Sequence, residues 1–121
     1  MTYEIDQSGK IEDTSKDTIL ALVGSNLTYT VKIPSKVKRE IQEYFKMKKE
    51  PGLFIYKTFS AGIYFLLSAF NAKINSVTID REYTGKEKLI ERMIKRLLEA
   101  TFIPCRINIL FNQIGKTSPA H

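Results

Sequence analysis

Ile74-Asn75-Ser76-Val77-Thr78-Ile79-Asp80 decides how this chain folds. It reads as a strand that follows two helical stretches and precedes a third, so it must enter its sheet through crossover connections. Working back from it, Tyr3-Glu4-Ile5-Asp6 starts a first strand, and Gln7-Ser8-Gly9-Lys10 supplies turn chemistry, with Gly9 tolerating positive φ. A second strand spans residues 18–23 and closes on Gly24-Ser25-Asn26. In the third, Leu27, Tyr29, Val31 and Ile33 alternate with Thr28, Thr30 and Lys32, the period of a sheet buried on one face. Those three strands make an antiparallel meander. Working forward, Thr84-Gly85-Lys86-Glu87 has the spacing of a capping box. The helix it opens carries Leu89, Ile90, Met93, Ile94, Leu97 and Leu98 on one face. A final strand runs over residues 106–111.

Between the meander and residue 74 the sequence predicts two helices. Pro34-Ser35 stops the third strand, with Ser35 expected as N-cap of a helix over residues 36–49. Its inward stripe is Val37, Ile41, Tyr44, Phe45 and Lys48, and Pro51-Gly52 ends it. Leu53 to Tyr56 reads as a short extended piece. From Ser60, the run Ala61 to Phe70 is apolar all round; it suits a helix largely covered by the domain, with a fully buried strand as the competing reading. The whole order predicts one α/β domain over residues 1–121, a five-stranded mixed sheet in which the later strands lie parallel to the first.

Composition narrows the function classes. Hydrophobic residues make up 43% and charged residues 26% of 121, the balance of a globular protein. There are 19 Lys and Arg against 13 Asp and Glu, a net charge of +6 that favours a polyanionic partner such as nucleic acid. A single cysteine, Cys105, excludes an internal disulfide and a multi-thiolate zinc site, and the one histidine, His121, is poorly placed to activate it. Met1-Thr2-Tyr3-Glu4 has neither the basic nor the apolar stretch of a signal peptide, and the Ala61 to Phe70 run is about half a membrane span. A soluble cytoplasmic protein is expected.

Asp6 and Asp80 are the candidate chemistry. Each ends a predicted strand, and if the two strands are parallel neighbours their carboxylates meet at one sheet edge, where ligands of open α/β sheets gather. Hard cations such as Mg²⁺ take carboxylate oxygens. The plainer alternative is that each aspartate only ends a strand or caps a turn.

Here the pattern resembles the ribonuclease H-like superfamily. Ile5-Asp6-Gln7-Ser8-Gly9 is similar to the Asp-x-Ser-Gly motif on the first strand of several of its branches, and Val77-Thr78-Ile79-Asp80 to the strand that carries a second acid. The resemblance implies Mg²⁺- or Mn²⁺-dependent cleavage of a nucleic-acid phosphodiester, with Asp6 binding the ions and Asp80 completing one shell. Relatives add a third acid from the first helix or from a helix after the fifth strand. On the first helix Glu40 lies beside the apolar stripe and Glu43 points away, so Glu40 is the candidate. The sequence offers no helix after the fifth strand, which leaves a shortened member, active or inactive, or a partner that supplies the missing acid. His121 falls where some relatives carry a mobile histidine.

Lys36, Lys38, Arg39 and Lys116 are expected on nucleic acid, with Lys46, Lys48 and Lys49 extending the track, although a charge run is also the ordinary solvated face of a helix. Gly115-Lys116-Thr117 looks like the end of a phosphate-binding loop, but the glycine that motif needs upstream falls at Leu110. Three readings stand: a small metal-dependent nuclease, a non-catalytic nucleic-acid-binding or assembly module on the same fold, and a subunit that dimerises through its apolar 61–70 segment.

Overall fold

The computed structural model describes residues 3–69, 74–101 and 107–113. Five strands, β1 (Tyr3–Ser8), β2 (Thr18–Val23), β3 (Thr28–Ile33), β4 (Ser76–Asp80) and β5 (Asn108–Asn112), form one open sheet in the order β3-β2-β1-β4-β5. The β1–β2 and β2–β3 pairs are antiparallel, whereas β4 lies parallel to both β1 and β5. The expected meander and the parallel entry of the later strands are both present. Three helices, α1 (Ser35–Met47), α2 (Phe54–Ser68) and α3 (Glu87–Ala100), complete the mixed α/β arrangement.

Alternation along the strands sets the layers, because successive side chains point to opposite faces. Ile5, Leu20, Leu22, Val77, Ile79 and Ile109 are buried and join Ile63 and Leu66 of α2 and Ile90, Ile94 and Leu98 of α3 in one core. Gly62 lets α2 approach the sheet: a Cβ there would collide with the Leu20 side chain. The alternate positions form the other face. Glu4, Asp6, Thr78 and Asp80 are half-buried on it, and Ile19, Thr28, Thr30, Lys32 and Leu110 are exposed. No described helix covers that face.

Several local readings need correction. Ser35 is not the N-cap. It is the first helical residue, Pro34 stands at the cap, and the Ser35 amide donates instead to Asp17 Oδ1 at 2.8 Å. The carboxylate that serves this helix start therefore comes from the loop before β2, a partner that local spacing does not reveal. Helix α1 ends before Pro51. Lys49 adopts φ 61°, its amide bonds to Lys46 O at 3.0 Å, and the Glu50 amide reaches back to Phe45 O at 2.8 Å. This is a Schellman closure with lysine in the position glycine usually takes.

The expected extended piece at 53–56 is instead a 3-10 turn over Pro51–Leu53 running straight into α2. The capping box does not form, because α3 starts at Glu87 with Lys86 at its cap. Glu87 Oε1 accepts from the Gly85 amide at 2.8 Å, but the helix has no side-chain cap from Thr84. The apolar run from Ala61 is helical, yet it is not covered all round: Phe65 is 59% exposed. Phe70, Cys105, Arg106, Lys116 and His121 lie outside the described residues.

Candidate metal centre

Register brings the two aspartates together. The parallel ladder pairs Tyr3, Glu4 and Ile5 with Val77, Thr78 and Ile79 and then stops, so Asp6 and Asp80 are the next residues in step on neighbouring strands. Asp80 ends its strand as the sequence suggests. Asp6 does not, because β1 continues through Gln7 and Ser8, paired with β2 alone. Both side chains point to the sheet face opposite the helices, by the alternation that buries Ile5 and Ile79.

The third acid is Glu82, and Glu40 is not part of this cluster. Ligand oxygens of Asp6, Asp80 and Glu82 all lie within 4.8 Å of one another, and all three residues are half-buried. A tight turn makes this possible. The Glu82 amide donates to the Asp80 carbonyl at 2.9 Å, a two-residue closure that folds the chain back on the strand end. Between the two acids, Arg81 is held elsewhere: its amide donates to Asn112 O at 2.9 Å, its Nη2 to Phe111 O at 3.3 Å, and its Nε pairs with Glu87 Oε2 at 3.1 Å. Glu40 is exposed on α1, among Val37, Ile41 and Tyr44. Sequence spacing alone does not find Glu82: it stands two residues past the end of β4, where the turn closed by its amide, and not strand alternation, sets which way it faces.

Crowding of like charge marks the cluster. The Glu82 carboxyl is pushed up to about 7, first by burial, then by its hydrogen bond with Asp80 and by the charges of Asp80 and Asp6, against a smaller opposing pull from Lys10. Asp6 Oδ1 accepts from the Gln7 amide at 2.8 Å, which fixes one of its oxygens. Tyr83 anchors the turn from behind. Its hydroxyl meets the Gln7 side chain at 3.3 Å and donates to Glu12 Oε1 at 3.4 Å, while its ring stacks edge-on against Phe59 and Tyr56. Burial, the largest cause, drives that phenol up to about 12, so it stays protonated and donating across the working pH range.

The expected nucleic-acid residues divide. Lys38 is wholly buried, and this overturns its assignment to a phosphate track. Its Nζ donates to Lys10 O at 3.0 Å, Asp13 O at 2.7 Å and Thr18 Oγ1 at 3.0 Å, holding the β1–β2 loop against α1. Burial lowers its pKa, opposed by the charges of Asp13, Asp17 and Glu12. Arg39 is exposed and binds the same loop through Thr14 O at 3.0 Å, and Lys36 is exposed on α1. No helix among the described residues is long and apolar enough to cross a membrane. Comparison with known proteins matches no family, no curated protein and no solved structure.

Proposed function

We propose that this chain is a divalent-cation-dependent phosphodiesterase acting on nucleic acid, with Asp6, Asp80 and Glu82 as the ligands of Mg²⁺ or Mn²⁺. The observation that carries the reading is the convergence of three carboxylates within 4.8 Å at the carboxyl ends of the central parallel strands. Their chemistry fits the ion. All the donors are hard oxygens; Glu82 is held near 7 by burial first and then by its hydrogen bond with Asp80 and the charges of Asp80 and Asp6, and a divalent cation would relieve that repulsion. When bound, such an ion polarises a phosphoryl oxygen and acidifies a water. The chain's own part is to hold the three carboxylates on one face: β1 and β4 set Asp6 and Asp80, and Arg81 and Tyr83 fix the turn that presents Glu82.

Strand order supports the likeness to the ribonuclease H-like superfamily, since an antiparallel meander with its first strand parallel to the fourth is the arrangement the resemblance implies. The net charge of +6 supports a polyanionic substrate. The test is cleavage of end-labelled single- and double-stranded DNA and RNA with Mn²⁺ or Mg²⁺. Wild type and Glu40→Gln should cleave, and Asp6→Asn should not. Undiminished cleavage by Asp6→Asn would overturn the assignment, and salt-sensitive binding without turnover would replace it with a non-catalytic binding module.

A further inference from the structure

An apolar groove runs along the β3 edge of the molecule, on the face opposite the carboxylates. It has a volume of about 770 Å³, is floored by Val31 and Ile33, and is walled by Val37, Ile41 and Tyr44 of α1 and by Ala61 and Phe65 of α2. These wall positions are the expected inward stripe of α1 and the apolar run of α2. They line one groove but are not covered, because α1 and α2 do not close over one another. Phe65 stays 59% exposed, Tyr44 55% and Val37 40%. Apolar side chains left open side by side mark a binding surface rather than the scatter found on any protein.

We infer that this groove receives an amphipathic helix of a partner protein whose apolar stripe is flanked by acidic residues. Shape argues for a helix. The trough lies between α1 and α2 beside β3 and is open to solvent, which suits a third helix packed ridge into groove. A small ligand would need a cavity that surrounds it and a few converging polar groups to orient it.

Charge argues for acid on the partner. Lys48 Nζ stands over the Tyr44 ring, 5.7 Å from its centroid, and Lys57 Nζ over the Phe45 ring at 5.6 Å. These contacts hold two ammonium groups against the aromatic wall. Glu40 is the one acid among the described residues that line the groove. A second copy of this chain would bring the same lysines against these, on a molecule already at +6. The acidic partner is therefore favoured over a homodimer through the 61–70 segment. The inference stands apart from the metal centre and does not depend on it.

The test is selection from a displayed library of 16-residue helices with a fixed leucine stripe and randomised flanks. Enriched sequences should carry Asp and Glu at the flanks. Their affinity, read by fluorescence anisotropy, should fall at least about tenfold with Phe65→Ala, an exposed position whose truncation leaves the core intact. The double variant Lys48→Glu and Lys57→Glu, which alters no buried residue, should turn the preference toward basic flanks. Enrichment of no helix or of neutral or basic flanks would overturn the inference, as would affinity indifferent to Phe65→Ala. So would a dimer in light scattering that Phe65→Ala dissolves, or filling of the groove by dodecanoate with no helix selected.

Discussion

Two clusters of charge adjoin the β1–β2 loop, and they are built on contrary plans. At Lys38, one buried cation meets three oxygen acceptors, two of them backbone carbonyls, so the fold supplies what the charge needs. At Asp6, Asp80 and Glu82, three acids are drawn within 4.8 Å, and the cost appears in the raised pKa of Glu82. The first arrangement makes the loop part of the core. The second combines burial with like charge, both of which a proton or a cation relieves. A charge satisfied by its own fold is structural, and like charges gathered against their own repulsion point to something brought from outside.

The sharpest way to break the contrast is at Lys38. Lys38→Met keeps the stem's packing but strands the Lys10 and Asp13 carbonyls and the Thr18 hydroxyl, and it should cost about 3 kcal/mol or more in urea unfolding. Lys36→Met, two residues away on α1 and exposed, should change stability by less than about 0.5 kcal/mol. Equal effects would mean that Lys38 is an ordinary surface lysine.

The acidic cluster should respond in the opposite direction, and only above a definite pH. The pKa of Glu82, about 7 in the fold against an ordinary 4.5, means that the folded protein holds this proton more tightly than the unfolded chain. Its favourable contribution is complete below about 4.5 and is lost as pH rises through about 7. Glu82→Gln should therefore raise the melting temperature at pH 8 and leave it unchanged at pH 4. Mn²⁺ should raise the wild-type melting temperature at pH 8, and by less at pH 5, where protons compete for the ligands. A Glu82→Gln protein no more stable than wild type at pH 8 would show that the crowding is not real.

How far these regions could be read in the sequence follows from how local their causes are. The helical stripe of 89–98 and the alternation in 27–33 are repeating signals, and Ile90, Ile94, Leu98 and Ile33 are buried, but Tyr29, on the face that the alternation marks as inward, is 44% exposed on this edge strand. Asp6 and Asp80 were legible because strand order alone makes them neighbours. Lys38 was not, since its charge looks like any other in the run 36–49 until the loop from Gly9 to Asp17 is seen folded over it. Gly9, at φ 80°, starts that loop and admits no side chain, because a Cβ would strike the Asp17 carbonyl. Glu82 lies past the strand end, where the direction of its side chain depends on one turn hydrogen bond. The α1 stripe was read correctly as apolar and wrongly as covered, because periodicity reports which side of a helix is apolar and not whether a neighbour closes over it.

A third group tests whether an unmet need must be charged to matter. Thr58 on α2 is 5% exposed, and its Oγ1 is buried with no hydrogen-bond partner among the described residues. A neutral hydroxyl in that position carries only its desolvation cost, which does not vary with pH. Thr58→Val keeps the branched shape and removes the oxygen, so it should stabilise the protein by about 1 kcal/mol in urea unfolding, equally at pH 4 and pH 8. That flat profile is what separates it from Glu82→Gln, whose gain exists only where the carboxylate ionises. A loss of stability would mean that the hydroxyl does have a partner, and a gain confined to high pH would tie Thr58 to the charge of the acidic turn.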